Sequence, residues 1–176
     1  MLQTRVMIVD GNNVYARAWF TINGAKQAGN TNKANKESLK KTVSLFKNMV
    51  VNLRKNFLSE LVIICWDGGK DAERLSLSPS YKQREEKPSG YYEGISVLQK
   101  EIEQACAQYV QIQITGAEAD DIIGTLAHYY SLLDCMVIIA SDDKDMLQLI
   151  NENVIISHSK KGTIDRLKFE ETFGFE

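Results

Sequence analysis

Residues 135–145 read CMVIIASDDKD, an apolar β-branched run that gives way to a group of aspartates. Val137, Ile138 and Ile139 in succession suit a strand buried on both faces, as the central strands of a parallel sheet are. The same form recurs along the chain. Residues 5–9 run into Asp10, residues 61–66 run into Asp67, and residues 154–157 give a further strand, with 110–114 a weaker candidate. Helical patterns lie between them. Leu39, Val43, Phe46, Val50, Leu53 and Phe57 recur at steps of four and three, which makes one apolar helix face. A second helix is predicted over about 92–109, with Ile95, Leu98, Ile102, Ala105 and Cys106 facing inward. A third follows Asp120, with Ile122, Ile123, Leu126, Tyr130 and Leu133 as its stripe. Strands alternating with helices are the sequence form of an α/β fold with a mainly parallel sheet. Residues 23–35 and 68–90 fit neither pattern, and loops of that length in a small domain are usually functional or disordered.

A chain of 176 residues fits one domain, and 44% apolar residues are enough for one sizeable core. The net charge of −2 is neutral on nucleic acid, because acids gathered in a site and bases spread on a surface can cancel in the sum. Cys65, Cys106 and Cys135 lie far apart in or beside apolar segments, as reduced, mostly buried thiols of a cytosolic protein do. With only His128 and His158 to join them, and no CxxC or HxxxH spacing, zinc is not expected. No apolar run approaches the roughly 18 residues that span a bilayer, and the N-terminus lacks a signal-peptide layout. A soluble, intracellular protein with no membrane partner is expected.

The acids are placed by the strands. Asp10, Asp67 and the pair Asp143 and Asp145 follow three different strands, and residues just past the carboxyl ends of parallel strands share one edge, where open α/β sheets bind ligands. Glu118, Asp120 and Asp121 open the third helix and would enter from the same side. On an ideal helix Glu118 and Asp121 lie about 60° apart and Asp120 well away from both, so spacing alone does not decide which point inward. Any one of these acids alone reads as a helix cap or an Asx turn. Together they would repel one another and raise their pKa values unless a cation balanced them. Hard Mg²⁺ or Mn²⁺ suits all-oxygen donors, and two such ions about 4 Å apart can hold a phosphate and activate water. Phosphodiester hydrolysis is the reaction class that follows.

Four motifs in order, Asp10-Gly11-Asn12 with Arg17, Trp66-Asp67-Gly68, residues 116–123 (GAEADDII) and residues 141–145 (SDDKD), resemble the 5′–3′ exonuclease and flap endonuclease family. That family includes phage enzymes and the nuclease domain of bacterial DNA polymerase I. The resemblance covers nearly the whole chain, 1–176. It implies a PIN-like, three-layer α/β fold with a mainly parallel central sheet flanked by helices, two Mg²⁺ or Mn²⁺ ions, and cleavage of branched or 5′-ended DNA in replication and repair. It also implies the cytoplasm of a bacterial or phage-infected cell. By motif position Asp10, Asp67, Glu118 and Asp120 would serve mainly the first ion, Asp143 and Asp145 the second, and Asp121 would support the cluster. Asp142 departs from the family, which usually has a small neutral residue there, and reads as a cap or a support behind the ligands. Arg74, Tyr81, Lys82 and Arg84 resemble the family's arch segment, here about 68–90, with one residue fewer than usual between the Lys and the last Arg. In the family the arch orders around a single-stranded 5′ arm, and its bases contact the scissile phosphate, where cations can stabilise developing charge. Without the resemblance, this stretch is a solvated mixed-charge loop.

A basic band stands apart from the resemblance. Residues 26–55 hold eight Lys or Arg and one acid, Glu37, and Lys33, Lys40, Lys47 and Arg54 repeat every seven residues beside the apolar stripe. With Lys36 and Arg17 they are candidate DNA contacts, and binding through such a band would fall with salt. A solubilising helix face is the alternative. Family members continue into a helix–three-turn–helix module that grips duplex DNA and adds ligands to the second ion. The sequence stops where that module should begin, so the second ion's site is expected to be short of ligands. A fragment, one polypeptide of a split enzyme, and a natural minimal form all fit. Two other functions compete with a nuclease: a DNA-binding or assembly subunit that does not cut without a partner, and a receiver-type phosphotransfer domain forming an acylphosphate.

Overall fold

Among the described residues five strands run parallel: β1 (Arg5–Asp10), β2 (Leu61–Trp66), β3 (Tyr109–Gln113), β4 (Met136–Ala140) and β5 (Val154–His158). A short β6 (Gly162–Ile164) pairs antiparallel with β5 and completes the order β3-β2-β1-β4-β5-β6. The structure, a computed structural model, describes residues 3–24, 35–69, 87–105 and 109–174. Lys33, Cys106 and the arch candidates Arg74, Tyr81, Lys82 and Arg84 lie outside the described residues.

Alternate residues of the central strands feed two cores, which is why their sequences need not alternate with polar residues. Met7, Val9, Ile64 and Trp66 face α1 (Gly11–Asn23), α2 (Lys36–Phe57) and α3 (Tyr91–Ala105). Val6, Ile8, Ile63, Val137 and Ile139 face α4 (Ala119–Leu132) on the other side. The result is the expected three-layer α/β arrangement. Burying each such Val or Ile is worth roughly 1.5–3 kcal/mol, so the two cores, more than local propensity, hold the strands in register. The predicted stripe of α2 packs as read, with Val43, Phe46 and Val50 buried and Leu39, Leu53 and Phe57 against them. Asn35 caps this helix by accepting the Ser38 amide at 2.8 Å, and Leu58 ends it in the left-handed region at φ 52°.

Several boundaries differ from the sequence expectation. The second helix does not reach Tyr109. That residue opens β3 instead and pairs with Val62, so the third strand is 109–113, not 110–114. Leu133 is not in the α4 stripe: it lies past the last turn and is 56% exposed. Helix α1, which follows β1 with no loop, had no sequence expectation, although Val14, Tyr15, Ala18 and Trp19 bury one face of it. The small β6 and α5 (Arg166–Phe173) were also not expected. No helix among the described residues is long and apolar enough to cross a membrane.

Candidate metal centre

From β1 the chain winds outward to β2 and β3, then returns to β4 on the other side of β1. Such a reversal opens a crevice at the carboxyl ends of the two middle strands. Asp10 stands there as the last residue of β1 and the N-cap of α1. Its Oδ1 accepts the Asn13 amide at 3.0 Å and its Oδ2 accepts the Ser141 hydroxyl at 2.8 Å. The side chain is only 5% exposed. Burial, helped by the charges of Asp120 and Asp67, pushes its pKa up to about 6, although the bonds from Asn13 and Ser141 pull the other way.

Ser141 continues the site on the β4 side. Its hydroxyl oxygen accepts the Asp143 amide at 3.1 Å, and Asp143 Oδ1 in turn accepts the Asp145 amide at 3.0 Å, capping the 3-10 helix Lys144–Leu149. On the other side, the Asp67 amide donates to Asn12 Oδ1 at 2.9 Å, and Asp67 Oδ1 accepts the Ala119 amide of α4, also at 2.9 Å. Gly68 makes that junction possible. Its amide donates to Ala117 O and its carbonyl accepts from Gly116, while a Cβ there would sit 1.7 Å from Ile114 O. Only a glycine lets the loop before α4 press against the end of β2.

The structure therefore brings Asp67 and Asp120 within electrostatic reach of Asp10. Glu118 is 3% exposed in an extended conformation (φ −87°, ψ 152°), so it is a cap position, and the ideal helix wheel does not describe its direction. Glu118 is thus buried, Asp120 half-buried and Asp121 exposed. Asp143 is half-buried and Asp145 exposed. Among the described residues no three acidic, His or Cys side chains close into a ready metal-binding group. The capping roles that each acid could have had alone are real for Asp10 and Asp143. They leave Asp67 Oδ2 and Asp143 Oδ2 without a hydrogen bond among the described residues. The donors are hard oxygens throughout, and a buried acid held near two others is a site a divalent cation would suit. Sequence reasoning missed Asn13 and the link through Ser141; small polar residues beside acids carry no signal of their own at sequence level.

Arg17 is half-buried and lies 3.5 Å from Asp142. Asp142 behaves as a support: its carboxylate also accepts the Ser159 amide at 2.7 Å and the Ser159 hydroxyl at 2.5 Å, and its amide donates to Asn13 Oδ1 at 3.1 Å. Burial alone would raise its pKa, but the bonds from Ser159 and the charge of Arg17 outweigh it, and the carboxyl is held below its ordinary range. The basic band on α2 is divided. Lys36 and Lys40 are exposed. Lys47 pairs with Glu101 of α3 at 2.5 Å, and Arg54 donates to Ser59 O at 3.1 Å and lies 6.0 Å from the Tyr109 ring centre. Lys47 and Arg54 are thus engaged by their neighbours, because there the helix flank meets α3 and the start of β3.

Comparison with known proteins gives this geometry a family. The family model described as the N-terminal, resolvase-like domain of 5′-3′ exonuclease matches residues 5–174. The chain is 33% identical to the 5′-3′ exonuclease of Buchnera aphidicola subsp. Schizaphis graminum over 96% of its own length and 57% of that protein. It is 30% identical to DNA polymerase I of Lactococcus lactis subsp. cremoris, over 96% of the chain and 19% of the polymerase. A mutant of the T5 5′-exonuclease superposes with a TM-score of 0.71 at 20% identity, covering 98% of the chain and 57% of the phage protein, which shows a shared fold. The phage enzyme has also been solved with divalent zinc and, as a flap endonuclease, with DNA and metal ions. The chain spans a little over half the length of the curated 5′-3′ exonuclease and of the phage protein. With the profile matched almost end to end, the chain belongs to the 5′–3′ exonuclease family, as its N-terminal resolvase-like domain.

Proposed function

We propose that this domain hydrolyses phosphodiester bonds in 5′-ended or branched DNA with Mg²⁺ or Mn²⁺, within the cytoplasm of a bacterial or phage-infected cell. The observation that carries the reading is the convergence of Asp10, Asp67 and Asp120 at the crevice where the sheet reverses direction, with Asp10 buried and its pKa raised to about 6. Asp10, Asp67, Glu118 and Asp120 would hold a first ion, Asp143 and Asp145 a second, and Asp121 would add negative potential from the rim. Bound there, the ions would supply an activated water and neutralise charge on the phosphate. The chain's own groups do the rest. Ser141 and Asn13 keep Asp10 oriented, the Ala119 amide holds one oxygen of Asp67 and leaves the other for a cation, and Lys36 and Lys40 offer exposed charge to the DNA backbone. Arg74, Tyr81, Lys82 and Arg84 would engage the 5′ arm and its scissile phosphate. The relatives are longer than this chain, so the duplex grip and further second-ion ligands would come from polypeptide beyond residues 1–176 or from a second polypeptide.

The test is cleavage of 5′-flap and blunt duplex DNA with Mg²⁺, Mn²⁺ or EDTA, beside an Asp67→Ala, Asp143→Ala double variant. Metal-dependent cutting that the double variant loses is the expected result. A natural chain that stays inert at high Mn²⁺ and low salt, yet cuts once the remaining portion of a longer relative is supplied, would assign this chain the role of a non-autonomous subunit. Inertness in both settings would overturn the nuclease reading.

A further inference from the structure

We infer that Asn12 and Asn13, in the first turn of α1, are positioning residues that set the spacing of the carboxylate-bearing strand ends. The inference rests on the metal-site reading above. Helix α1 rises directly from β1, the strand lying between β2 and β4. Consecutive helical residues point about 100° apart, so two neighbours in its first turn can reach to opposite sides. Asn12 Oδ1 accepts the Asp67 amide at 2.9 Å and ties down the end of β2. Asn13 Oδ1 accepts the Asp142 amide at 3.1 Å and ties down the turn after β4. The Asn13 amide itself donates to Asp10 Oδ1 at 3.0 Å. One turn of helix is thereby bonded to three acidic segments that are remote from one another in sequence.

Both side chains are half-buried, and both meet these amides through the amide oxygen. The choice of asparagine follows from the surroundings. A carboxylate would offer the same acceptor but add negative charge beside Asp10, Asp67 and Asp120, whereas alanine would leave two backbone amides without their acceptors and their strand ends free to shift. Partners standing behind metal ligands commonly set about 10–100-fold in metal affinity.

The experiment is a double-variant cycle read by Mn²⁺ binding, following the paramagnetic resonance signal of free Mn²⁺, with thermal unfolding alongside. Asn12→Ala is expected to weaken Mn²⁺ binding about tenfold while the melting temperature changes by only a few degrees. Combined with Asp67→Ala, it should weaken binding no further than Asp67→Ala alone, because its effect passes through Asp67. Asn13→Ala with Asp143→Ala forms the parallel cycle. Binding by Asn12→Ala within twofold of the natural chain overturns the inference, and so does an additive loss in the combined variant. If Asp67→Ala itself binds Mn²⁺ as the natural chain does, the metal-site reading fails and takes the positioning role with it. Should Asn12→Ala not fold, Asn12→Asp keeps the accepting oxygen. It is expected to fold and to bind Mn²⁺ at least as tightly, and weaker binding despite the added charge overturns the inference.

Discussion

Asp10 is an acid whose burial outweighs the hydrogen bonds that favour its charged form. Its pKa in the folded chain stands at about 6, above its ordinary value of 3.8, so the folded state holds that proton more tightly than the unfolded state. The sign follows: between about pH 4 and 6 the folded chain carries more protons, and stability falls as pH rises through that window. The shift corresponds to an upper figure of about 3 kcal/mol. Asn at position 10 can still accept the Asn13 amide and meet the Ser141 hydroxyl without a charge to desolvate. We therefore expect Asp10→Asn to raise the melting temperature in EDTA at pH 8 by several degrees, to lose most of that gain at pH 4, and to bind Mn²⁺ poorly. A gain of equal size at both pH values would show that burial of the charge is not its source. At the same scale Asp142 is the opposite case, since its donors more than offset its burial and it carries no such penalty.

Among the elements, α1 is the one that joins core to crevice. Its apolar side packs Tyr15 and Trp19 against Tyr91 at the start of α3, with ring centres 5.1 and 5.2 Å apart respectively. The approach is close enough that a Cβ on Gly94 of α3 would lie 2.0 Å from the Tyr15 hydroxyl and 3.2 Å from its ring. That hydroxyl is buried and has no hydrogen-bond partner among the described residues. Gly94→Ala should therefore force α1 and α3 apart and cost about 1–3 kcal/mol in urea unfolding. Adding Tyr15→Phe should return most of that loss, since it removes the clashing atom and a buried polar group together. If Tyr15→Phe gives no relief, the strain lies in the helix backbone and not at the hydroxyl. The capping acids belong to this scale too: Asp10 and Asp143 each start a helical segment with a side-chain oxygen, and Ser141 links the two through its hydroxyl.

For the whole molecule, the arch candidates supply the prediction. Lys82→Ala should slow cleavage of 5′-flap DNA more than it weakens duplex binding, because a cation at the scissile phosphate acts on charge that develops during the reaction. Equal losses in both would reduce the segment to general attraction, with a salt dependence to match. The linear sequence carries the layered α/β class, the three β-branched runs ending in Asp10, Asp67 and the 141–145 group, and the apolar stripe of α2, because each is written in local periodicity and in the order of motifs. It does not carry how deeply each acid is buried. Glu118 is buried at an extended cap position, whereas Asp120 is half-buried and Asp121 exposed in the first turn of α4, and these depths depend on where α4 docks beside Gly68. Nor could the even spacing of Lys40, Lys47 and Arg54 reveal that α3 and β3 take up the last two. Helix α1 escaped notice because the acid, glycine and two asparagines at its start read as a turn, and their hydrogen bonds reach residues more than fifty and more than a hundred positions away. Strand runs are local and survive in a linear reading; the direction of a side chain at a strand end is fixed by partners that only the closed sheet brings near.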